Sequence, residues 1–407
     1  MHILMIHQAF TPVSEPGGTR HHEMARYFCK EGHRVTVLTG QVSYLTGRGE
    51  GKGRWIQRET DESGVEILRV YTYRGWHRSF FHRLLSFITF MLSSFLVGLK
   101  VKDVDLIWGT TPPLFQVITA WILARLKGAV FLMEVRDLWP YFAVAVGVLT
   151  NPILIRFSEG LEGFLYRRAD CIMVNSPGFV DHVRDRGAKW VHLIPNGVDV
   201  SMFDPKATGE PFREAHGLKD RFVVIYAGAH GLSNDLEIIL HAADSLRENG
   251  MIQFVLVGDG KEKHRLEAQT KDLQLEHVHF HPPVPKRDMP EVLASSQACI
   301  AILKPLEAFK TTYPNKVFDY MAAGRPVILA IDGAIRQVVE EAEAGIFVQP
   351  GDSDQLVQAI LKLEQDRALG KEMGLAGRRF VEEHFDRSVL AAEMLGIMVD
   401  IVQEKGS

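Results

Sequence analysis

Thr311–Ile331, TTYPNKVFDYMAAGRPVILAI, is the stretch from which the fold of this chain is read. Tyr313-Pro314-Asn315 forms a turn, and a short amphipathic helix follows it. Gly324 closes that helix in the manner of a left-handed cap, and Pro326 blocks its continuation. Val327–Ile331 then has the apolar run of a buried strand. A helix that starts at Asn315 aims unpaired N–H groups, and the positive end of its dipole, at the space before it. Lys316 in the first turn has the wrong sign for that dipole. Either it faces solvent, or it shares an anion with the amides. Asp319, one turn further on, is placed to accept bonds from sugar hydroxyls. A diphosphate in front and hydroxyls behind would suit a nucleotide-sugar.

The same alternation of strand, loop and helix runs on both sides of this stretch. Phe222–Tyr226 reads as a strand, followed by Gly228-Ala229-His230-Gly231 and a helix from about Asn234 to Glu248. Gln253–Val257 leads into Gly258-Asp259-Gly260, Val278–His281 into Pro282-Pro283-Val284-Pro285, and Ala298–Leu303 into the opening stretch. Beyond it come a strand at Gly345–Val348, two helices over 353–384 and a last helix over 387–403. The first half begins in the same way. Strands His2–Ile6 and Arg34–Thr39 flank a loop with Pro16-Gly17-Gly18 and a helix from Thr19 to Lys30. That is the opening of a parallel α/β sheet, although the loop lacks the G-x-G-x-x-G of a dinucleotide site. Residues 43–64, rich in glycine and charge, read as an exposed loop. Strand Ala129–Val135 delivers Arg136-Asp137 to its carboxyl end, where open sheets bind ligands. Asp137 is then either a functional carboxylate or a loop partner of Arg136. Asp103-Val104-Asp105 spells D-x-D, but it precedes the amino end of a strand and reads as structural.

A length of 407 residues exceeds one ordinary core, and two domains are expected, over 1–204 and 205–386. Hydrophobic content of 46% with 24% charged residues describes a soluble globular protein. Cys29, Cys171 and Cys299 are far apart and outside any metal-ligand spacing, which points to a reducing cytoplasm. The opening MHILMIHQ lacks the pattern of a signal peptide and reads as a first strand. Residues 1–205 carry 23 Lys and Arg against 19 Asp and Glu, and the remainder 23 against 31. An acidic second half argues against nucleic-acid binding, which needs many phosphate contacts.

The basic excess of the first half gathers around one segment. Between Glu66 and Asp103 there is no acidic residue, yet Arg69, Arg74, Arg78, Arg83, Lys100 and Lys102 lie there. They border LLSFITFMLSSFLVGL at 84–99, which is shorter than the roughly 20 residues that span a bilayer. A helix apolar nearly all round belongs in a core. A basic, aromatic-rich border instead suits the surface of an anionic membrane. Segment 74–102 is compatible with both, on different faces.

The opening stretch resembles the donor-binding helix of retaining glycosyltransferase family 4, whose GT-B architecture sets two doubly wound Rossmann-like domains across a cleft. Asp319-Tyr320-Met321-Ala322-Ala323-Gly324-Arg325-Pro326-Val327 fits the end of the family run, while the family's first Glu falls on Thr311. Ile194-Pro195-Asn196-Gly197-Val198-Asp199 matches a motif of the hinge region. The Lys in this turn is similar to that of bacterial O-antigen and capsule transferases of the N-acetylfucosamine type. The resemblance implies a donor-binding second domain, an acceptor-binding first domain, and a last helix, 387–407, crossing back to the first. It places Gly231, His230, Asn234, Gly258, Asp259, Val284, Asn315, Lys316 and Asp319 around a nucleotide-sugar, UDP-linked by preference. It puts Gly17, Gly18, Arg20 and His21 at the lip of a loop facing phosphates and acceptor, with an Arg in place of the usual His before Asp137. Relatives carry an Arg and a Lys after the first strand of the second domain. Here Gly228–Gly231 has neither, so Lys316 is expected to supply the charge. Asp137 and Lys316 are the catalytic candidates, with no cofactor and no metal. The acceptor implied is a saccharide on a lipid carrier, met in the cytoplasm or at the inner face of its membrane. A nucleotide-sugar epimerase or hydrolase, or a non-catalytic sugar-nucleotide-binding subunit, is the alternative.

Overall fold

The computed structural model describes residues 1–41, 55–75 and 80–406. They fall into two compact units. The first comprises Met1–Pro12, Gly18–Pro195 and the residues from Ser388 onward; the second comprises Val13–Gly17 and Asn196–Arg387.

The first unit is built on β1 (His2–Ile6), β2 (Arg34–Gly40), β3 (Ile56–Thr60), β4 (Glu66–Val70), β5 (Leu106–Thr111), β6 (Val130–Val135), β7 (Cys171–Val174) and β8 (Val191–Leu193). They pair in the order β3-β4-β2-β1-β5-β6-β7-β8, with only the β3–β4 pairing antiparallel. Central strands covered on both faces should be apolar throughout, and β1, β5 and β6 are buried at every residue. One face packs Ile3, Met5, Trp108 and Leu132 against helix Arg20–Lys30 and the last helix, Arg387–Gly406. The other packs Leu4, Ile6, Ile107 and Met133 against helices Phe80–Gly98, Leu114–Lys127 and Pro152–Arg168. The chain therefore finishes on the unit in which it began, as the resemblance implied. β3 corrects the reading of 43–64 as a loop. Its residues are almost all exposed at the sheet edge, so no apolar alternation marks it. The rest of that segment, 43–54, lies outside the described residues, as do 76–79 of the basic segment.

The second unit has β9 (Phe222–Ala227), β10 (Ile252–Val257), β11 (Val278–His281), β12 (Ala298–Ile302), β13 (Val327–Ala330) and β14 (Gly345–Phe347). They form one parallel sheet in the order β11-β10-β9-β12-β13-β14. Strand order reverses between β1 and β5 and again between β9 and β12, and the carboxyl ends of such strands are where doubly wound sheets bind ligands. Helix Asn315–Ala322 connects β12 to β13. Its end is a Schellman motif: Gly324 has φ 66°, its amide reaches the Met321 carbonyl at 3.0 Å, and the Arg325 amide reaches the Tyr320 carbonyl at 3.0 Å. The helix expected from Asn234 is shorter, Glu237–Ser245, because Asp235 takes φ 37° and the helix forms only after it.

Helix Phe80–Gly98 has two unlike faces. Ser86, Phe90, Ser93 and Ser94 are buried, and the Ser93 hydroxyl donates to the Tyr71 carbonyl at 2.7 Å. Phe81, Leu92 and Leu96 are 67, 55 and 56% exposed. By length and composition, Phe81–Gly98 would suffice to cross a membrane.

Candidate active site

In the second unit the site grows from the end of β9. Gly228 has φ 155°, and a Cβ there would stand 2.9 Å from the Lys316 ammonium, so both turn and approach require glycine. A Cβ on Gly258, φ 148°, would collide with the Gly228 carbonyl. The two loops thus meet backbone to backbone, and the Gly228 amide donates to the Val257 carbonyl at 2.9 Å.

Lys316 reaches this junction from the first turn of helix Asn315–Ala322. Its Nζ donates to the Tyr226 hydroxyl at 2.8 Å and to Asn234 Oδ1 at 3.3 Å, and it sits 4.0 Å from the centroid of the Tyr226 ring. The Tyr226 hydroxyl in turn donates a hydrogen bond to the Ala229 carbonyl at 2.7 Å. Among the described residues no carboxylate forms an ion pair with Lys316, and burial alone pushes the ammonium down to about 7. Of the two readings open in the sequence, a solvated lysine is not the one realised.

The other residues expected around a donor divide into two groups. Gly231 and Asn234 lie beside Lys316, with the Asn234 amide bonded to the Gly231 carbonyl at 3.1 Å. Asn315 is exposed at the helix start, Asp259 is exposed with Oδ1 accepting from the Gly260 amide at 2.7 Å, and Val284 is half-buried on the core. His230 is fully buried between the Tyr226 and Phe280 rings, and neither ring nitrogen has a hydrogen-bond partner among the described residues. Burial, with Lys263 and Lys316 nearby, pushes the imidazole down to about 4, so it is neutral. Asp319 is held by Lys286, whose Nζ is 2.6 Å from Oδ1. Tyr226 and Lys286 had not been singled out from the sequence. Lys286 carried one signal, the Lys286-Arg287 pair directly after Pro282-Pro283-Val284-Pro285.

In the first unit, Arg20 and His21 are not at a lip. Both side chains are buried, drawn inward by Glu134 on β6. Arg20 Nε lies 3.1 Å from Glu134 Oε1, and its remaining nitrogens donate to the carbonyls of Ile194 at 3.0 Å and Pro195 at 2.5 Å. His21 Nε2 lies 2.5 Å from Glu134 Oε2, which makes Nε2 the protonated nitrogen. Burial opposes ionisation of Glu134, but His21, Arg20 and Arg136 outweigh it and hold the carboxyl far below the usual range. With its donors committed, Arg20 is a framework residue. Gly17 and Gly18 are exposed and straddle the division between the units.

Asp137 follows β6 and meets solvent. It does not pair with Arg136, whose Nε instead donates to Thr110 Oγ1 and the Thr111 carbonyl, each at 2.9 Å. Desolvation by the surrounding protein raises the Asp137 carboxyl to about 6, against the pull of Arg136. Asp105, of the D-x-D, accepts from the His2 amide at 2.6 Å and fixes the start of β1.

Residues 17–197 match the model of a glycosyl transferase 4-like domain, and residues 221–366 that of the glycosyl transferases group 1. The chain belongs to the family 4-type glycosyltransferases. As a member it uses a nucleotide-sugar, and its architecture is GT-B. It is similar to the putative colanic acid biosynthesis glycosyl transferase WcaI of Escherichia coli K12, 24% identical over 379 residues, spanning 90% of this chain and 91% of the relative. A sucrose-phosphate synthase of Thermosynechococcus elongatus has the same fold, with TM-score 0.80 and 18% identity over 99% of both chains. So does Anabaena HepE, solved in complex with UDP, with TM-score 0.71 and 16% identity over 98% of this chain and 100% of that one.

Proposed function

We propose that this glycosyltransferase moves a sugar from a UDP-sugar to a hydroxyl of a lipid-linked saccharide, a precursor of surface polysaccharide, with retention at the anomeric carbon. The observation that carries this reading is the Lys316 ammonium, unpaired by any described carboxylate and set between the Gly228–Gly231 loop and the start of a helix. A leaving diphosphate gains negative charge as the sugar bond breaks, and a preorganised cation at that point stabilises it. The amides of Asn315 and Gly231 would add donors, and the helix dipole the same sign of field. Asp137, with a carboxyl near 6, suits a group that orients or deprotonates the acceptor hydroxyl near neutrality. UDP is favoured because a fold neighbour was solved with it, and surface polysaccharide because the similar E. coli protein is named for colanic acid.

The lipid carrier fits the outward face of helix Phe80–Gly98, where Phe81, Leu92 and Leu96 are exposed along one stripe. Contact there would place the protein on the inner face of the cytoplasmic membrane. A second reading has one observation in its favour. Thr311 stands where relatives have Glu, and its hydroxyl donates to the Ala308 carbonyl at 2.7 Å, which is compatible with a subunit that binds sugar-nucleotide without transferring. The deciding experiment incubates the protein with a panel of UDP- and GDP-sugars, with and without lipid-linked saccharide. Nucleotide release that requires the saccharide supports transfer. Release without it supports a hydrolase, conversion of the donor to an isomer without net release supports an epimerase, and binding without either supports the silent subunit.

A further inference from the structure

In the second unit a cavity of about 930 Å³ opens at the amino ends of β9, β12 and β13, the sheet edge opposite Lys316. Six cations line it: Lys206, Arg213, Lys219, Arg325, Arg367 and Lys371. The acids of its wall are Glu210, Glu214 and Asp220; Glu214 lies 3.8 Å from Lys219, and Glu364 lies 3.8 Å from Arg367, so those two pairs cancel. Arg213 spends its guanidinium on the carbonyls of Ser295, Leu218 and Arg221 and on Gln297 Oε1. Arg325 donates to the carbonyls of Leu293, Ala207 and Ala294. Neutral acceptors satisfy these N–H groups and leave both charges in place. Burial lowers the guanidinium pKa of Arg213, Arg325 and Arg367, so the charge is held against a desolvation cost that an anion would relieve. Apolar surface alternates with the cations, and the Arg367 guanidinium lies 4.3 Å from the Phe222 ring centroid.

We propose that this cavity binds an organic phosphate. The phosphate lies against Lys206, Arg325 and Lys371, and the carbon skeleton lies over Leu375, which is exposed in the wall. More than one uncancelled cation favours a phosphate, with its higher charge, over a single carboxylate. The occupant would act on the catalytic half of the unit. Gly324 and Arg325 belong to the cavity wall and terminate the helix whose first turn carries Lys316. Helix Arg367–His384, which supplies Arg367 and Lys371, is fastened to the same end, since Arg378 donates to the Ala322 carbonyl at 2.7 Å. A Cβ on Gly374 would collide with the Gly324 carbonyl, so the two helices are in close register there.

The cavity stands independently of the donor reading, and the test keeps them apart. Pyrophosphate binding is measured by calorimetry on the whole chain, first as wild type and then as Lys316→Met, which removes the cation of the donor pocket. The Lys316→Met protein should still bind pyrophosphate. Adding Lys206→Gln, Arg367→Gln and Lys371→Gln in that background should weaken this binding by about tenfold or more, the usual consequence of losing charged hydrogen bonds. These three side chains are exposed, and an unchanged thermal unfolding curve confirms that the fold is kept. Binding that vanishes with Lys316→Met alone would overturn the inference while supporting the donor pocket. Equal binding by the protein with and without the three glutamines would overturn it as well.

Discussion

Arg20 and Lys316 bring positive charge to the carboxyl ends of strands in the two units, and they differ in what answers the charge. Arg20 meets Glu134 at 3.1 Å and two carbonyls. Lys316 meets a phenol and an amide oxygen, and no described carboxylate. The first is a closed account of donors and acceptors, so it fixes the position of β6 against helix Arg20–Lys30. The second leaves a charge that no described carboxylate answers. A permanently charged guanidinium suits the first role, and an ammonium whose proton affinity has been lowered suits the second. Burial of a cation is therefore not the mark of a site; burial without its counter-charge is.

The largest effect should come from breaking the closed arrangement. Glu134→Gln leaves Arg20 buried beside a neutral group and should lower unfolding free energy by about 3–5 kcal/mol in urea titrations, the range for half of a buried pair. Turnover per folded molecule should change little. If Glu134→Gln unfolds like wild type, the contrast with Lys316 collapses.

Lys316→Met should do the reverse. Turnover should fall by about two to three orders of magnitude, as for one lost oxyanion donor, while urea stability holds or rises because an unpaired ammonium has gone. Lys316→Arg should keep part of the rate. Asp137→Asn sharpens the comparison from the other unit. It should cut turnover about a hundredfold, the low end for a general base, with UDP affinity unchanged. Loss of UDP binding in that variant would make Asp137 structural.

Asp319→Asn should weaken UDP binding by about 1–3 kcal/mol in calorimetry, whether through lost bonds to hydroxyls or through release of Lys286. Lys286→Met separates the two, since it leaves the carboxylate in place. If neither substitution alters UDP affinity, both residues fall outside the donor pocket.

The smallest effect is a slope. Free Lys316 loses its proton near pH 7, and a bound diphosphate holds that proton. UDP binding above pH 7 should therefore take up a proton, and affinity should fall by at most about tenfold per pH unit. Calorimetry in buffers of different ionisation enthalpy reads the proton directly, and Lys316→Met should abolish the uptake.

Both sheets were legible in the sequence because strands buried on two faces must be continuous apolar runs, as β1 and β9 are. So was helix Asn315–Ala322, since Gly324 and Pro326 leave its end little choice. β3 was not, because an edge strand with solvent on both sides has no pattern to show. Lys316 announced itself as a charge of the wrong sign at a helix start. Its partner Tyr226 did not, because a tyrosine at the end of an apolar strand looks like core until the helix arrives from 90 residues away. Arg20 and His21 were misplaced because a Gly-Gly loop does not say which side of the next helix faces inward. Glu134 within Val130-Phe-Leu-Met-Glu-Val135 held that information. A carboxylate in a strand buried on both faces requires cations, and those two residues were available.

Helix Phe80–Gly98 turns serines inward and leucines outward. Laid on a bilayer, that face would exchange a search through volume for a search over area. Acceptors on a lipid carrier would then be met by lateral diffusion, at a rate set by their surface density and not by their concentration in the bulk.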